Sequence, residues 1–350
     1  MASFSMDQHF EALGHDQDGR IALAASSLTG TLWGGSVWTF ESDSRTFDAQ
    51  HASAWAPTES GNTDLTWLET NASDKRLVTT GDAGTVDLWR EVETLKRIEF
   101  ERTLVEHDDV AQSVSVSADK LRVASGSWDA SVRVWDLGKE CGRSYLAHAE
   151  AVYSVSFSPV NPDILVSASQ DGIARMWDLR QEVKPARKLF CSELRGVGVR
   201  SIAWKMDGSE VLALGDETGQ VVLMDMKNDG ASRKWPIHAD AVNRLAFSKQ
   251  SFNLLASVSN DSLAIVTDTL KNETVYKSSD HTDLVRGLAW LSSDDCFRTC
   301  GLDSKLLLHS IFRSESAATS LTAVKGKESM DCTDSSRDDS KENFMEANED

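Results

Sequence analysis

The sequence predicts an all-β protein, a seven-bladed β-propeller, and three observations predict it. An ending of the Trp-Asp type recurs seven times along the chain. The steps between successive endings are 49, 46, 42, 47, 43 and 42 residues. The segments between them alternate apolar and polar residues and are punctuated by turn residues, the texture of short strands.

The units can be justified in order. Phe40-Glu41 closes the first and Trp89 the second. Two clear copies follow, VASGSWDASVRVWDL ending at Leu137 and LVSASQDGIARMWDL ending at Leu179, with Trp135-Asp136 and Trp177-Asp178 spaced 42 residues apart. Fainter endings stand at Met224-Asp225, Thr267-Asp268 and His309. This spacing of WD-repeats places blades at roughly 8–55, 60–104, 105–145, 146–190, 191–235, 236–278 and 279–324. A lone four-stranded sheet cannot bury both faces, whereas seven around an axis can, with short protected edges.

A second regularity ties residues within the units. In four of them a His lies 22 or 23 residues before an Asp that is itself six before the Trp position: His107/Asp129, His148/Asp171, His238/Asp261 and His281/Asp303. Ser125, Ser167, Ser257 and Thr299 stand four residues before those Asp. The units ending at Trp89 and Met224 lack both partners, as expected of a buried couple in which neither member is tolerated alone. A triad with Ser, His and Asp would suit a hydrolase. Four copies in four repeats instead predict a structural network of His, Ser/Thr, Asp and Trp, completed by Trp135 and Trp177, and no catalytic residue.

Composition narrows the function. The net charge is -19, of which the tail from Lys325 to Asp350 carries -5, leaving -14 for the body. Such a body repels nucleic-acid phosphates and suits basic, Arg-rich partners. The tail is polar and acidic and is expected to be disordered; Ser314 to Val324 could still form an outer strand. No apolar run approaches a membrane span or a signal sequence. Five cysteines (Cys141, Cys191, Cys296, Cys300, Cys332) are scattered without a Cys-x-x-Cys pair, which predicts reduced thiols, Cys296 and Cys300 half-buried on strands, no zinc site and a cytoplasmic or nuclear setting. No phosphate-cradling glycine loop occurs, so neither metal nor cofactor is expected.

The first unit breaks the repeat. Aligning Ala25-Ser26-Ser27 with Ser125-Gly126-Ser127, and Ser36 with Ser131, leaves LTGTLWGG where the third unit has Trp128, Asp129 and Ala130, five residues more. A loop flanked by Gly30, Gly34 and Gly35 is therefore expected to project Trp33 as a partner contact, because an exposed Trp is a typical interface anchor.

The stretch ALAASSLTGTLWGGSVWTF, with DLTW at Asp64–Trp67, EHDD at Glu106–Asp109 and GDETG at Gly215–Gly219, resembles the methylosome WD-repeat family. The likeness runs from about Met6 to Phe312, and the first-unit stretch is its distinctive part. The resemblance implies a catalytically inert propeller docked on the N-terminal TIM-barrel domain of a type II protein arginine methyltransferase, four copies of each. It further implies activation of that enzyme, presentation of histones and spliceosomal Sm proteins, and a methyltransferase contact through Leu32, Trp33, Gly34 and Gly35. A shorter N-terminus and longer acidic tail depart from the vertebrate pattern. The alternative is a substrate receptor of a cullin-RING ubiquitin ligase, since Ile173–Arg180 (IARMWDLR) looks like a WDxR docking box.

Overall fold

The computed structural model describes residues 6–29, 32–42, 44, 46–71, 74–139, 141–181, 187–192, 196–227, 231–291 and 296–311. They form the all-β propeller. Blade 1 holds β1 (His9–His15), β2 (Ile21–Thr29), β3 (Leu32–Phe40) and β4 (Ala54–Thr58); blade 2 holds β5 (Asn62–Asn71), β6 (Asp74–Gly81), β7 (Thr85–Val92) and β8 (Arg97–Glu106). Blade 3 comprises β9 (Ala111–Val116), β10 (Arg122–Ser127), β11 (Ser131–Asp136) and β12 (Cys141–Leu146). Blade 4 comprises β13 (Val152–Phe157), β14 (Ile164–Ser169), β15 (Ile173–Asp178) and β16 (Arg187–Cys191). Blades 5 and 6 follow as β17 (Val199–Trp204), β18 (Val211–Asp216), β19 (Gln220–Asp225), β20 (Ala231–Pro236), and β21 (Val242–Phe247), β22 (Leu254–Ser259), β23 (Ala264–Asp268), β24 (Glu273–Ser278). Blade 7 shows β25 (Val285–Trp290), β26 (Cys296–Gly301) and β27 (Leu306–Ser310). Among the described residues the helical content is one 3-10 turn, Glu93–Leu95.

Strands within a blade pair antiparallel in chain order, and a single parallel bridge from Trp55 to Arg97 joins the outer strands of blades 1 and 2. Residues 314–324, a candidate outer strand, and the acidic tail lie outside the described residues.

The apolar side chains pack between blades, which explains why the alternating pattern needs a ring. Seven clusters each combine two neighbours. Leu65 and Trp67 of blade 2, for instance, bury against Ala22, Ala24 and Val37 of blade 1. The cluster that closes the circle brings Phe10, Leu13 and Leu23 of blade 1 against Cys300 and Leu306 of blade 7. Each fully buried Leu or Phe contributes about 1.5–3 kcal/mol, so every blade is held by both neighbours. Cys300 is fully buried rather than half-buried, because it sits in this closing seam. Its thiol donates to the Phe10 carbonyl at 3.8 Å, and burial pushes its pKa far up.

The innermost strand of every blade carries a β-bulge at its second or third residue. Glu11, Thr63, Gln112, Tyr153, Arg200, Asn243 and Arg286 are each skipped by the pairing to the next strand. A bulge re-aims the side chain it carries.

Candidate partner-binding site

The residues singled out in the first unit lie on a hairpin. Pairing of β2 with β3 continues past Ala24↔Val37 through Ala25↔Ser36, Ser26↔Gly35, Ser27↔Gly34, Leu28↔Trp33 and Thr29↔Leu32. In blade 3 the corresponding ladder ends at Gly126↔Val132. The ladder is thus five rungs longer, and the described residues of the segment expected as a loop, 28–29 and 32–35, lie on its strands. Register also corrects its length. The bulges at Glu11 and Gln112 align Ala25 with Ser127, so ten residues precede Ser36 where three precede Ser131, an insertion of seven rather than five. Backbone groups freed from a loop by this ladder hydrogen-bond each other, which stiffens the projection.

The base of the hairpin is anchored to blade 2 and to the N-terminal segment. Asn62 Nδ2 donates to the carbonyls of Ala25 at 3.0 Å and Ser36 at 3.2 Å. Asp7 accepts from the hydroxyls of Ser27, at 2.7 Å, and Ser36, while Trp38 Nε1 donates to Ser36 Oγ at 2.6 Å. Gly35 is required here, since a Cβ would lie 2.6 Å from Asn62 Nδ2 and 2.9 Å from the Ala25 carbonyl. At Gly34 a Cβ would meet nothing within 4 Å. Gly30 and the side chains of Leu32 and Trp33 lie outside the described residues.

The four His/Asp pairs do meet. His107 Nδ1 stands 2.9 Å from Asp129 Oδ2; His148, His238 and His281 stand 3.0 Å from Asp171, Asp261 and Asp303. Each Nε2 lies 2.8 Å from Ser125, Ser167, Ser257 or Thr299. Burial lowers the pKa of His107, His148 and His238 although the carboxylates oppose it. These three rings are accordingly assigned as neutral, with Nδ1–H donating to the carboxylate and Nε2 accepting from the hydroxyl. Burial would raise Asp129, but bonds from Ser131, its backbone N–H and His107 hold the carboxyl at about 2.

The fourth member varies. Trp177 Nε1 donates to Ser167 Oγ at 2.9 Å, which completes the expected network in blade 4. Trp135 does not: its indole N–H is buried without an acceptor among the described residues. Its ring packs against Gly142 of the outer strand, where a Cβ would collide with it. In blade 7, His309 fills the Trp position and its Nε2 lies 2.7 Å from Thr299 Oγ1. Blade 2 keeps the indole bond alone, Trp89 Nε1 to Thr79 Oγ1 at 2.8 Å. In blade 5, Asp216 closes a local turn by accepting from Thr218 and Gln220 N–H.

Comparison with known proteins follows the same lines. The family described as WD domain, G-beta repeat matches residues 98–136 and 139–178. Methylosome protein WDR77 of Xenopus laevis is 34% identical over 326 residues, covering 92% of this chain and 95% of that protein. The chain belongs to the methylosome WD-repeat family. More distant relatives match part of this methylosome-family chain. Histone acetyltransferase type B subunit 2 of Kluyveromyces lactis is 29% identical over 46% of the chain and 39% of its own length. E3 ubiquitin-protein ligase COP1 of Arabidopsis thaliana is 25% identical over 53% of the chain and 27% of its own length. The ligase-type box of this family member is internally engaged: Arg180 Nε and Nη2 donate to the two oxygens of Asp178 at 2.8 and 2.7 Å. Among the described residues no helix is long and apolar enough to cross a membrane.

Proposed function

We propose that this chain is a non-catalytic scaffold and activator subunit of a methylosome, in the cytoplasm and the nucleus. It binds a type II protein arginine methyltransferase, four copies of each, and presents Arg-rich substrates such as histones and Sm proteins for symmetric dimethylation. The observation that carries the reading is the anchored, lengthened hairpin of blade 1, on which Leu32, Trp33 and Gly34 form the partner contact above Gly35, which is buried at the base. No other described hairpin between the second and third strands of a blade has its extra rungs. Similarity to a methylosome protein over nearly the whole chain supports the same reading. The acidic body supports the substrate half, since it attracts basic tails.

The test is a melt and a methyltransferase pull-down on Trp33→Ala beside Trp135→Ala. Trp33→Ala is expected to melt like the parent and to weaken the complex by about 2–4 kcal/mol, the range of a buried aromatic anchor. Trp135→Ala is expected to lose stability first. Normal binding by Trp33→Ala, or a melt as low as that of Trp135→Ala, sinks the assignment.

A further inference from the structure

The seven bulges share one outcome: their side chains all line a single cavity at the axis of the ring, with Arg244 beside them. Thr63 and Gln112 occupy the bulge position in blades 2 and 3, so the fold accepts neutral side chains there. Blades 5 and 7 instead supply Arg200 and Arg286, and blade 6 adds Arg244 next to its bulge. Three guanidiniums converging in a protein of charge -19 repel one another at a cost that packing does not require.

Their compensation is incomplete. Arg244 reaches across the axis to Asp64 of blade 2, and that ion pair is closed. Arg286 has Glu11 Oε2 at 3.7 Å, yet its Nε is buried with no acceptor among the described residues. Burial lowers the pKa of Arg286, Glu11 opposes this, and Arg200 and Arg244 add to the lowering. Arg200 lies over the Tyr153 ring, 4.9 Å from its centroid, and has no ion-pair partner among the described residues. Asn243 spends its Nδ2 on Asn260 Oδ1 and the Val285 carbonyl, both at 2.8 Å, while its Oδ1 is buried without a donor. The cavity therefore offers guanidinium donors on two sides and one acceptor that needs a proton.

We propose that the axial cavity binds a phosphate group, held between Arg200 and Arg286. A carboxylate has two oxygens and saturates one guanidinium fork, whereas a phosphate presents oxygens to both. A phosphate that retains one proton also donates to Asn243 Oδ1, which a carboxylate cannot do. Trp128, 47% exposed, sits at the rim, its Nε1 donating to Gln112 Oε1 at 3.1 Å. It offers an apolar shelf to a chain carrying the phosphate. The site stands whether or not the protein serves a methyltransferase.

The experiment is calorimetric titration of the full-length protein with sodium phosphate, with a phosphoserine peptide, and with its unphosphorylated twin. Each is repeated on Arg200→Gln and Arg286→Gln after a melt confirms folding. Saturable phosphate-dependent binding, weakened at least about tenfold in each folded variant, is expected. If Arg286→Gln unfolds, Arg200→Gln, whose ring contact is partly solvent-facing, carries the test. A phosphopeptide more than about tenfold tighter than free phosphate assigns the group to a protein ligand, and equal affinities assign it to the free ion; both support the site. Absence of saturable phosphate binding, equal binding of the unphosphorylated peptide, or binding that survives in Arg200→Gln overturns it.

Discussion

At the scale of single residues, the His/Asp couples show why a carboxylate is kept beneath a turn. Asp129 accepts from Ser131 N–H at 2.9 Å, Ser131 Oγ at 2.6 Å and Asp108 N–H at 3.1 Å as well as from His107. Asp171 likewise accepts from Ala149 and Ile173 N–H at 3.1 and 3.0 Å. Removing either carboxylate strands a buried imidazole donor and two backbone N–H groups together. Asp129→Ala and Asp171→Ala are each expected to destabilise the fold by roughly 1–3 kcal/mol. Asp82, half-buried in a blade without the His, has no such donor, so Asp82→Ala is expected to cost much less. Thermal melts of the three variants decide it, and equal shifts would defeat the pairing. The couples themselves were legible because both partners recur at a fixed offset. The missing Trp135 bond was not, since the seat of its ring depends on Gly142 of a strand whose register the repeat does not encode.

At the scale of elements, the first hairpin and its neighbour explain how blade 1 is made rigid enough to hold a projection. Arg20, at the β1–β2 turn, forms a buried bidentate pair with Glu91 of β7, Nη1 to Oε2 at 3.0 Å and Nη2 to Oε1 at 2.7 Å. Thr39 of β3 donates to the same carboxylate at 2.9 Å. The pair joins blades 1 and 2 and leaves almost no side-chain surface exposed, 7% and 1%. Breaking a buried pair from one side leaves a bare charge, so Glu91→Ala is expected to cost about 3–5 kcal/mol. Glu91→Gln, which still accepts from Thr39, is expected to cost less. Denaturant melts check both, and a Glu91→Ala loss no larger than that of Asp178→Ala, whose half-buried carboxylate pairs with the exposed Arg180, would show the pair to be dispensable.

For the whole molecule, closure of the ring and its field are the collective properties. The last blade meets the first through the Phe10, Leu13 and Cys300 seam, supplemented by the Ser304 hydroxyl donating to the Gln8 carbonyl. A closed ring has no free blade edge at which to unravel, so its clusters cooperate. The charge of -14 outside the tail is spread over that ring and acts at long range. The isolated protein is therefore expected to bind an Arg-rich histone-tail peptide weakly, with affinity that falls as salt shortens the screening length from about 30 Å at 0.01 M to about 8 Å at 0.15 M. Titration at two ionic strengths is the check. Salt-independent binding, or none at low salt, would count against substrate presentation.

Amphipathic alternation, turn residues and a recurrent ending are local properties, and from them the chain alone determined an all-β ring of repeated units and the four His/Asp couples. The same reading located the unusual hairpin through its glycines and excess length. Tertiary structure decided whatever depends on register and on the axis. Which residue of β1 bulges sets the frame in which the hairpin's insertion is seven residues and not five, and the pairing of β2 with β3 makes strand of an inferred loop. Asp64 and Arg244 stand 180 positions apart in the chain and meet across the channel. Six residue types occupy the seven bulge positions at that centre, so no period in the sequence marks it. Arg200, Arg244 and Arg286 come from consecutive blades, but only closure of the ring sets Asp64 of blade 2 and Glu11 of blade 1 against them, because that cavity forms where blades distant in sequence face one another.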